Sequence, residues 1–218
     1  MITYELIKSD PAIRTYVKEA DASLAALGYT EHSFAHVTKV AETAGYILRT
    51  LGFDERTIEL AKIAGFLHDI GNLVNRVDHS QSGAIIAFRI LDKMGMEPSE
   101  IATIVTAIGN HDEGTGVPVS NVAAALIIAD KSDVRRSRVR GKVEVGDIHD
   151  HVNYSVTNST LTINDDNSII TLELTIDTAF SSVMDYFEIF LGRMILCRKA
   201  AEKLGIVFKL VINGQQLL

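Results

Sequence analysis

The helix-spaced apolar run Leu60-Ala61-Lys62-Ile63-Ala64-Gly65-Phe66-Leu67 ends abruptly in His68-Asp69, and this junction constrains the fold more than any other feature. His36, His79, His111 and Asp130 repeat the pattern: each lies in or beside a stretch that otherwise reads as buried. Burying unpaired charge is very costly, so a core holding four histidines and two aspartates must neutralise them. A divalent ion does so most simply, because imidazole and carboxylate are both good ligands. The fold has to bring these six side chains together.

Apolar spacing and breakers place helices along the first 140 or so residues. Ser9-Asp10-Pro11 starts one that carries Ile13, Val17, Ala20, Leu24 and Leu27 and ends at Gly28. Ser33 caps a second, with His36, Val37, Val40, Ala44, Ile47 and Leu51, closed by Gly52. Asp54 caps a third, which stops near Gly71. Further helices fit residues 80–94, 98–110 and 119–134, with the loop Gly114-Thr115-Gly116-Val117-Pro118 before the last.

The texture changes after Gly141. Residues 152–157, 160–163 and 169–176 alternate apolar with polar, around a turn at Asn164-Asp165-Asp166-Asn167. Residues 179–204 read as an amphipathic helix ended by Gly205, and 206–212 as a last strand. The expected architecture is mainly α: a helical bundle over 1–141 and a small β-β-α-β extension over 142–218. Phe180, Val183, Met184, Phe187, Phe190, Leu191, Met194 and Ile195 recur at helical spacing, as in a helix that covers a sheet or packs on a second subunit, hence a homodimer as one expectation.

At 218 residues, 47% hydrophobic and 22% charged, the chain is ordinary for a globular protein. A net charge of −7 disfavours extended nucleic acid and anionic membranes, though not a small anion held by a metal and local cations. The single Cys197 leaves no internal disulfide and suits a reducing compartment. Met1 to Glu5 show no basic region leading into an apolar run, and Val122–Ala129 is too short to span a bilayer, so the expected location is the cytoplasm.

Six nitrogen and oxygen ligands exceed the needs of one ion once water is counted. Two ions about 3.5–4 Å apart would use all six, and such pairs suit phosphoester displacement. Cys197 reads as core rather than nucleophile. Asp147, His149, Asp150 and His151 read as surface, and His32, just outside the Ser33-capped helix, as surface or as support for a ligand. Asp112 adjoins His111 and suits an orienting or a solvent-facing role, while Asp133 suits pairing with Lys131 or Arg136. Arg135, Arg136, Arg138, Arg140 and Lys142 follow the Asp130 helix, where the helix dipole favours cations. Lys131, Arg135 and Arg136 are the candidates for holding a substrate phosphate.

The order His36…His68-Asp69…Asp130 resembles the HD superfamily of metal-dependent phosphohydrolases. His36-Val37-Thr38-Lys39-Val40-Ala41, Leu67-His68-Asp69-Ile70-Gly71, His79-Ser80-Gln81-Ser82-Gly83-Ala84 and Ala129-Asp130-Lys131-Ser132-Asp133 are similar to its successive ligand strings, over roughly residues 30–140. Asn110-His111-Asp112 with Gly114–Pro118 is similar to the HHE…DGxGYP stretch of the cyclic-dinucleotide phosphodiesterase (HD-GYP) branch. Asn110 and Val117 stand where that branch has histidine and tyrosine, and Asn72 where it has lysine. The resemblance implies a dinuclear centre ligated by His36, His68, Asp69, His79, His111 and Asp130, with Asp69 bridging and His68, Asp69 and Asp130 central to catalysis. It implies two divalent ions drawn from manganese, iron, zinc, nickel, cobalt or magnesium, and a small, nucleotide-like phosphorylated substrate. A di-iron oxygenase and a non-catalytic nucleotide sensor are the competing expectations.

Overall fold

A computed structural model describes residues 1–140 and 148–218. Helices fill the first stretch: α1 (Tyr4–Ser9), α2 (Pro11–Ala26), α3 (Phe34–Thr50), α4 (Glu55–Leu67), α5 (His79–Lys93), α6 (Pro98–Gly109) and α7 (Asn121–Lys131). The starts of α2, α3, α4 and α7 are capped by side chains. The Asp10 carboxylate accepts from the amides of Ala12 and Ile13, Ser33 Oγ from Ala35, Asp54 from Arg56 and Thr57, and Ser120 from Ala123. Gly52 closes α3 with φ +80°, a conformation that costs glycine little.

α7 is the centre of the bundle. Every residue from Val122 to Ala129 is buried, against α3, α4 and α6 on one side and the C-terminal helix on another. Helices apolar all round are buried all round. α3 and α4 meet backbone to backbone, because a Cβ on Gly65 would lie 2.7 Å from Ala41 Cα. α1 is an addition to the sequence reading. Six residues give no periodic signal, yet Tyr4 and Ile7 are buried, with the Tyr4 ring 5.9 Å from that of Phe66.

The C-terminal part holds α8 (Ile148–Ser155), β1 (Val156–Ile163), β2 (Ile169–Ile176), α9 (Val183–Lys203), β3 (Val207–Ile212) and the short β4 (Gln215–Gln216). The strands lie in the order β1-β2-β3-β4, with β2 and β3 parallel across the α9 crossover and the other pairs antiparallel. On β2, Ile170, Leu172, Leu174 and Ile176 are buried while Ile169, Thr171, Glu173 and Thr175 face the other way. The architecture is therefore mainly α with a small C-terminal α+β extension.

Three expectations are corrected. Residues 152–155 are helical: four alternating residues also fit one helical turn, and here Asn153 Nδ2 donates to His149 O and Ser155 Oγ to Val152 O. The buried face of α9 carries Tyr186, Phe190, Met194 and Cys197, whereas Met184, Leu191 and Ile195 are exposed. That face packs on α7 as well as on β3, which shifts the buried stripe around the helix. α7 ends at Lys131 rather than 134. The expected boundary at 141/142, Lys142 and Asp147 lie outside the described residues. No helix among the described residues is long and apolar enough to cross a membrane.

Candidate metal centre

Five helices and a 3₁₀ turn deliver the six predicted residues to one place. His36 comes from the first turn of α3, His68 caps the C-terminus of α4, and Asp69 leads into a 3₁₀ turn at Ile70–Leu73. His79 opens α5, His111 follows the end of α6, and Asp130 lies in the last turn of α7. The closeness of α5 depends on Gly71. A Cβ there would lie 1.9 Å from His79 O and 2.5 Å from Gly83 N.

Asp69 is the hub. Its Oδ2 lies 3.1 Å from His68 Nε2 and 3.5 Å from His36 Nε2, and its Oδ1 lies 3.5 Å from His79 Nε2. Asp130 Oδ1 is 3.4 Å from His36 Nε2 and 3.6 Å from His68 Nε2. Ligand atoms of His36, His68 and Asp130 all fall within 4.8 Å of one another, as do those of His68, Asp69 and His111. Asn72, which stands where the HD-GYP branch has lysine, donates from Nδ2 to Asp69 Oδ1 at 3.0 Å and orients that carboxylate.

The histidines are wired alike. Each uses Nδ1 as a donor: His36 to Asp133 Oδ2 at 2.7 Å, His68 to Gly65 O at 2.7 Å, His79 to Arg76 O at 3.1 Å and His111 to Ile108 O at 2.7 Å. In a neutral imidazole this leaves Nε2 as an acceptor. All four Nε2 lone pairs therefore point at the two carboxylates and at each other. His79 Nε2 and His111 Nε2 are 3.2 Å apart. Burial holds both rings neutral, with His111 pushed down to about 3 by burial and by the charges of His68 and Lys131. Two neutral acceptors at that distance need a cation between them. Nε2 of His36 and of His68 is buried and finds no hydrogen-bond partner among the described residues. Burial would lower His68, yet Asp69 and Asp130 outweigh it and raise the group to about 10 in the metal-free chain, a proton standing in for missing positive charge. The donor set fits divalent ions, each ring pinned through its second nitrogen as metal-binding histidines are.

Asp133 does more than the sequence reading gave it. It pairs with neither Lys131 nor Arg136. It is buried beneath His36, with Lys39 Nζ at 2.9 Å and Arg135 Nε at 2.9 Å. Burial works against its charge, but the His36 hydrogen bond and the Arg138 and Lys39 charges hold it well below the usual carboxylate range. Asp133→Asn is expected to weaken metal binding by about 10- to 100-fold while leaving the fold intact. Competition against a chelator measures this, and unchanged affinity would deny Asp133 a part in orienting His36.

A cavity of about 340 Å³ opens onto the centre. Asp69, His79, His111, Asp112, Asp130 and Lys131 line it, and so do residues of the C-terminal part. His149 and Asp150, expected at the surface, are exposed and partly exposed, and both also line the cavity beside Asn153 of α8. His32 also lines it. Its Nδ1 donates to Thr30 O at 2.7 Å and its Nε2 lies 3.9 Å from Asp69 Oδ2. Of the three expected phosphate-holding residues, only Lys131 faces the cavity. Arg135 is engaged by Asp133, Ser137 and Glu31, and Arg136 donates to Tyr154 O at 2.6 Å while stacking on the Tyr154 ring. The cavity's arginines are Arg76, Arg138 and Arg193 instead. Cys197 is buried, its thiol pushed up to about 12 by burial, as suits a core residue.

Residues 33–135 match the HD domain family, a span that contains all six predicted ligands. This stretch, a little under half of the chain, is similar to the HD domain. It is similar to an uncharacterized protein of Methanocaldococcus jannaschii, 29% identical over 64% of this chain and 62% of that one. It is also similar to Ribonuclease Y of Lawsonia intracellularis, 36% identical over 47% of this chain and 18% of the ribonuclease. Among solved structures it is similar to a predicted HD superfamily hydrolase from an uncultured Thermotogales bacterium, with 26% identity, a TM-score of 0.44, and coverage of 66% of this chain and 78% of that one. The chain thus spans less than two thirds of either curated relative, and only a small fraction of the ribonuclease. The span similar to the HD domain contains the four inward-facing histidines.

Proposed function

We propose that this protein hydrolyses a phosphate ester or anhydride of a small, nucleotide-like molecule at a pair of divalent ions. One observation carries the reading: four buried histidines, each pinned at Nδ1, turn their Nε2 atoms toward Asp69, Asp130 and one another, and those of His36 and His68 have no hydrogen-bond partner among the described residues. His36, His68 and Asp130 would hold one ion and His79 and His111 the other, with Asp69 spanning the two. Bound divalent ions lower the pKa of water and polarise phosphoryl oxygens. The protein's own groups do the rest. Asp133 and the carbonyls of Gly65, Arg76 and Ile108 fix the rings, and Asn72 fixes Asp69. Lys131, held charged by Asp130 Oδ2 at 2.7 Å and Glu113 Oε2 at 2.8 Å, offers positive charge to a phosphoryl group. His32, kept neutral by burial, presents Nε2 as an acceptor that can orient a water.

The cavity's size supports a small substrate. About 340 Å³ lies at the low end of ligand pockets. The test is a hydrolysis screen of mono-, di- and cyclic nucleotides with manganese, iron, zinc and magnesium, on protein whose metal content has been measured. Turnover of at least one substrate that depends on added metal is the expected result. Full metal loading with no turnover, or oxygen uptake by the iron-loaded protein, would overturn the proposal.

A further inference from the structure

Arg193 sits on α9, outside the matched HD domain, yet it lines the cavity over the metal centre. It borders the buried face that carries Tyr186, Phe190, Met194 and Cys197, where a guanidinium is costly unless it is used. Its Nε donates to Glu113 Oε1 at 2.9 Å, and its Cζ lies over the Phe190 ring, 4.6 Å from the centroid. Glu113 Oε2 in turn takes Lys131 Nζ at 2.8 Å, and Lys131 reaches Asp130 Oδ2 at 2.7 Å. An alternating chain of charge therefore runs from the metal centre to the C-terminal helix. The loop bearing Glu113 is clasped against α9: a Cβ on Gly116 would lie 2.4 Å from Asp112 O and 3.2 Å from Leu196 Cδ2.

Among the described residues this arrangement fixes Arg193 by one edge and leaves the other open. Among the described residues it makes a hydrogen bond through Nε alone, to Glu113, so both terminal nitrogens remain available. A planar guanidinium held at one edge and set over an aromatic ring is pre-organised for bidentate contact with phosphate oxygens. Charge points the same way. Among the described residues, Arg76, Lys131, Arg138 and Arg193 are set against the lining carboxylates Asp69, Asp112, Glu113, Asp130 and Asp150, one negative charge in excess before metal binds. Two divalent ions would turn that into three positive charges. A phosphate monoester, carrying about −1.5 to −2 at neutral pH, matches that excess better than the single charge of a diester.

We infer that Arg193 is a specificity-determining residue that anchors the terminal phosphate of the substrate, so that the C-terminal unit completes the active site and selects small phosphomonoesters. The inference rests on the phosphohydrolase proposal for the substrate's class, and its test is separable from that proposal. Inorganic phosphate is titrated calorimetrically into the metal-loaded full chain, as wild type, Arg193→Gln and Arg193→Lys. Arg193→Gln is expected to weaken phosphate binding by about 10- to 100-fold with metal content unchanged, the scale of lost hydrogen bonds to a charged group. Arg193→Lys should recover only part of it. With p-nitrophenyl phosphate the glutamine variant should raise KM and leave kcat nearly unchanged, while KM for bis-p-nitrophenyl phosphate moves less. Should the glutamine variant fail to fold, the guanidinium resonance of Arg193 in the wild type decides: it must shift on addition of phosphate. Wild-type phosphate affinity in metal-loaded Arg193→Gln, or an Arg193 resonance indifferent to saturating phosphate, overturns the inference. Phosphate binding is read without turnover, so the role of Arg193 is tested even in a protein that hydrolyses nothing. Conversely, hydrolysis that survives without Arg193 leaves the proposed activity standing.

Discussion

Asp69→Ala is expected to abolish hydrolysis and strip the centre of metal together. Asp69 is the carboxylate whose two oxygens face opposite halves of the histidine ring, His36 and His68 at 3.5 and 3.1 Å from Oδ2, and His79 at 3.5 Å from Oδ1. Removing it leaves Nε2 lone pairs facing one another with a single carboxylate, Asp130, to attract a cation. A loss of about 10³-fold or more in turnover follows, roughly 4 kcal/mol of transition-state stabilisation. Metal analysis of the purified variant should show occupancy falling in parallel. Near-wild-type kcat with full metal would place the measured reaction elsewhere on the protein, or in a contaminant.

The six residues that meet at the centre were legible because burial makes polar side chains conspicuous. His68-Asp69 and Asp130 each end an apolar run, and His36 lies on the stripe with Val40 and Ile47, so the pattern shows that they turn inward. Helix starts were legible for a local reason, since Ser33 and Asp54 cap the helices that follow them. What stayed hidden depends on tertiary proximity. Glu113 is separated in sequence by 80 residues from the arginine it holds. Arg193 did leave a trace, as the one charged residue between Phe190 and Met194, but nothing local says what lies opposite. His149 and Asp150 read as surface and are exposed or partly so; that they also border the cavity depends on where α8 packs. Residues 152–155 were misread for a related reason, since a short stretch of alternation is compatible with either period and packing decides it. The helices of the HD domain carry their own signal, whereas the contribution of the C-terminal part emerges only when α9 packs on α7.

Gly71→Ala should be the most destabilising single-methyl change near the centre. The position has no room: the added carbon would lie 1.9 Å from His79 O, 2.5 Å from Gly83 N and 2.7 Å from Ser82 Oγ. Two of those atoms are backbone of α5, so rotamer changes cannot relieve the clash, and the helix must move by about an ångström to restore ordinary contact. α5 carries His79, which opens the helix with its Nδ1 tied to Arg76 O, so displacement drags one ligand away from Asp69 and His111. Overpacking against rigid backbone belongs to the severe class of substitutions, and a loss of about 3–5 kcal/mol is expected. For a chain of this size that corresponds to a melting temperature lower by about 10 °C. Weaker metal binding at the His79–His111 side should accompany it. Gly192→Ala is the matched control: within α9 nothing lies within 4 Å of its added carbon, and relief of the glycine helix penalty should leave stability equal or higher by up to about 1 kcal/mol. Thermal melts of both variants, with and without added metal, separate the two effects. A Gly71→Ala protein that melts with the wild type and binds metal equally well would show that α5 is not held against the His68-Asp69 turn in the way the histidine geometry requires.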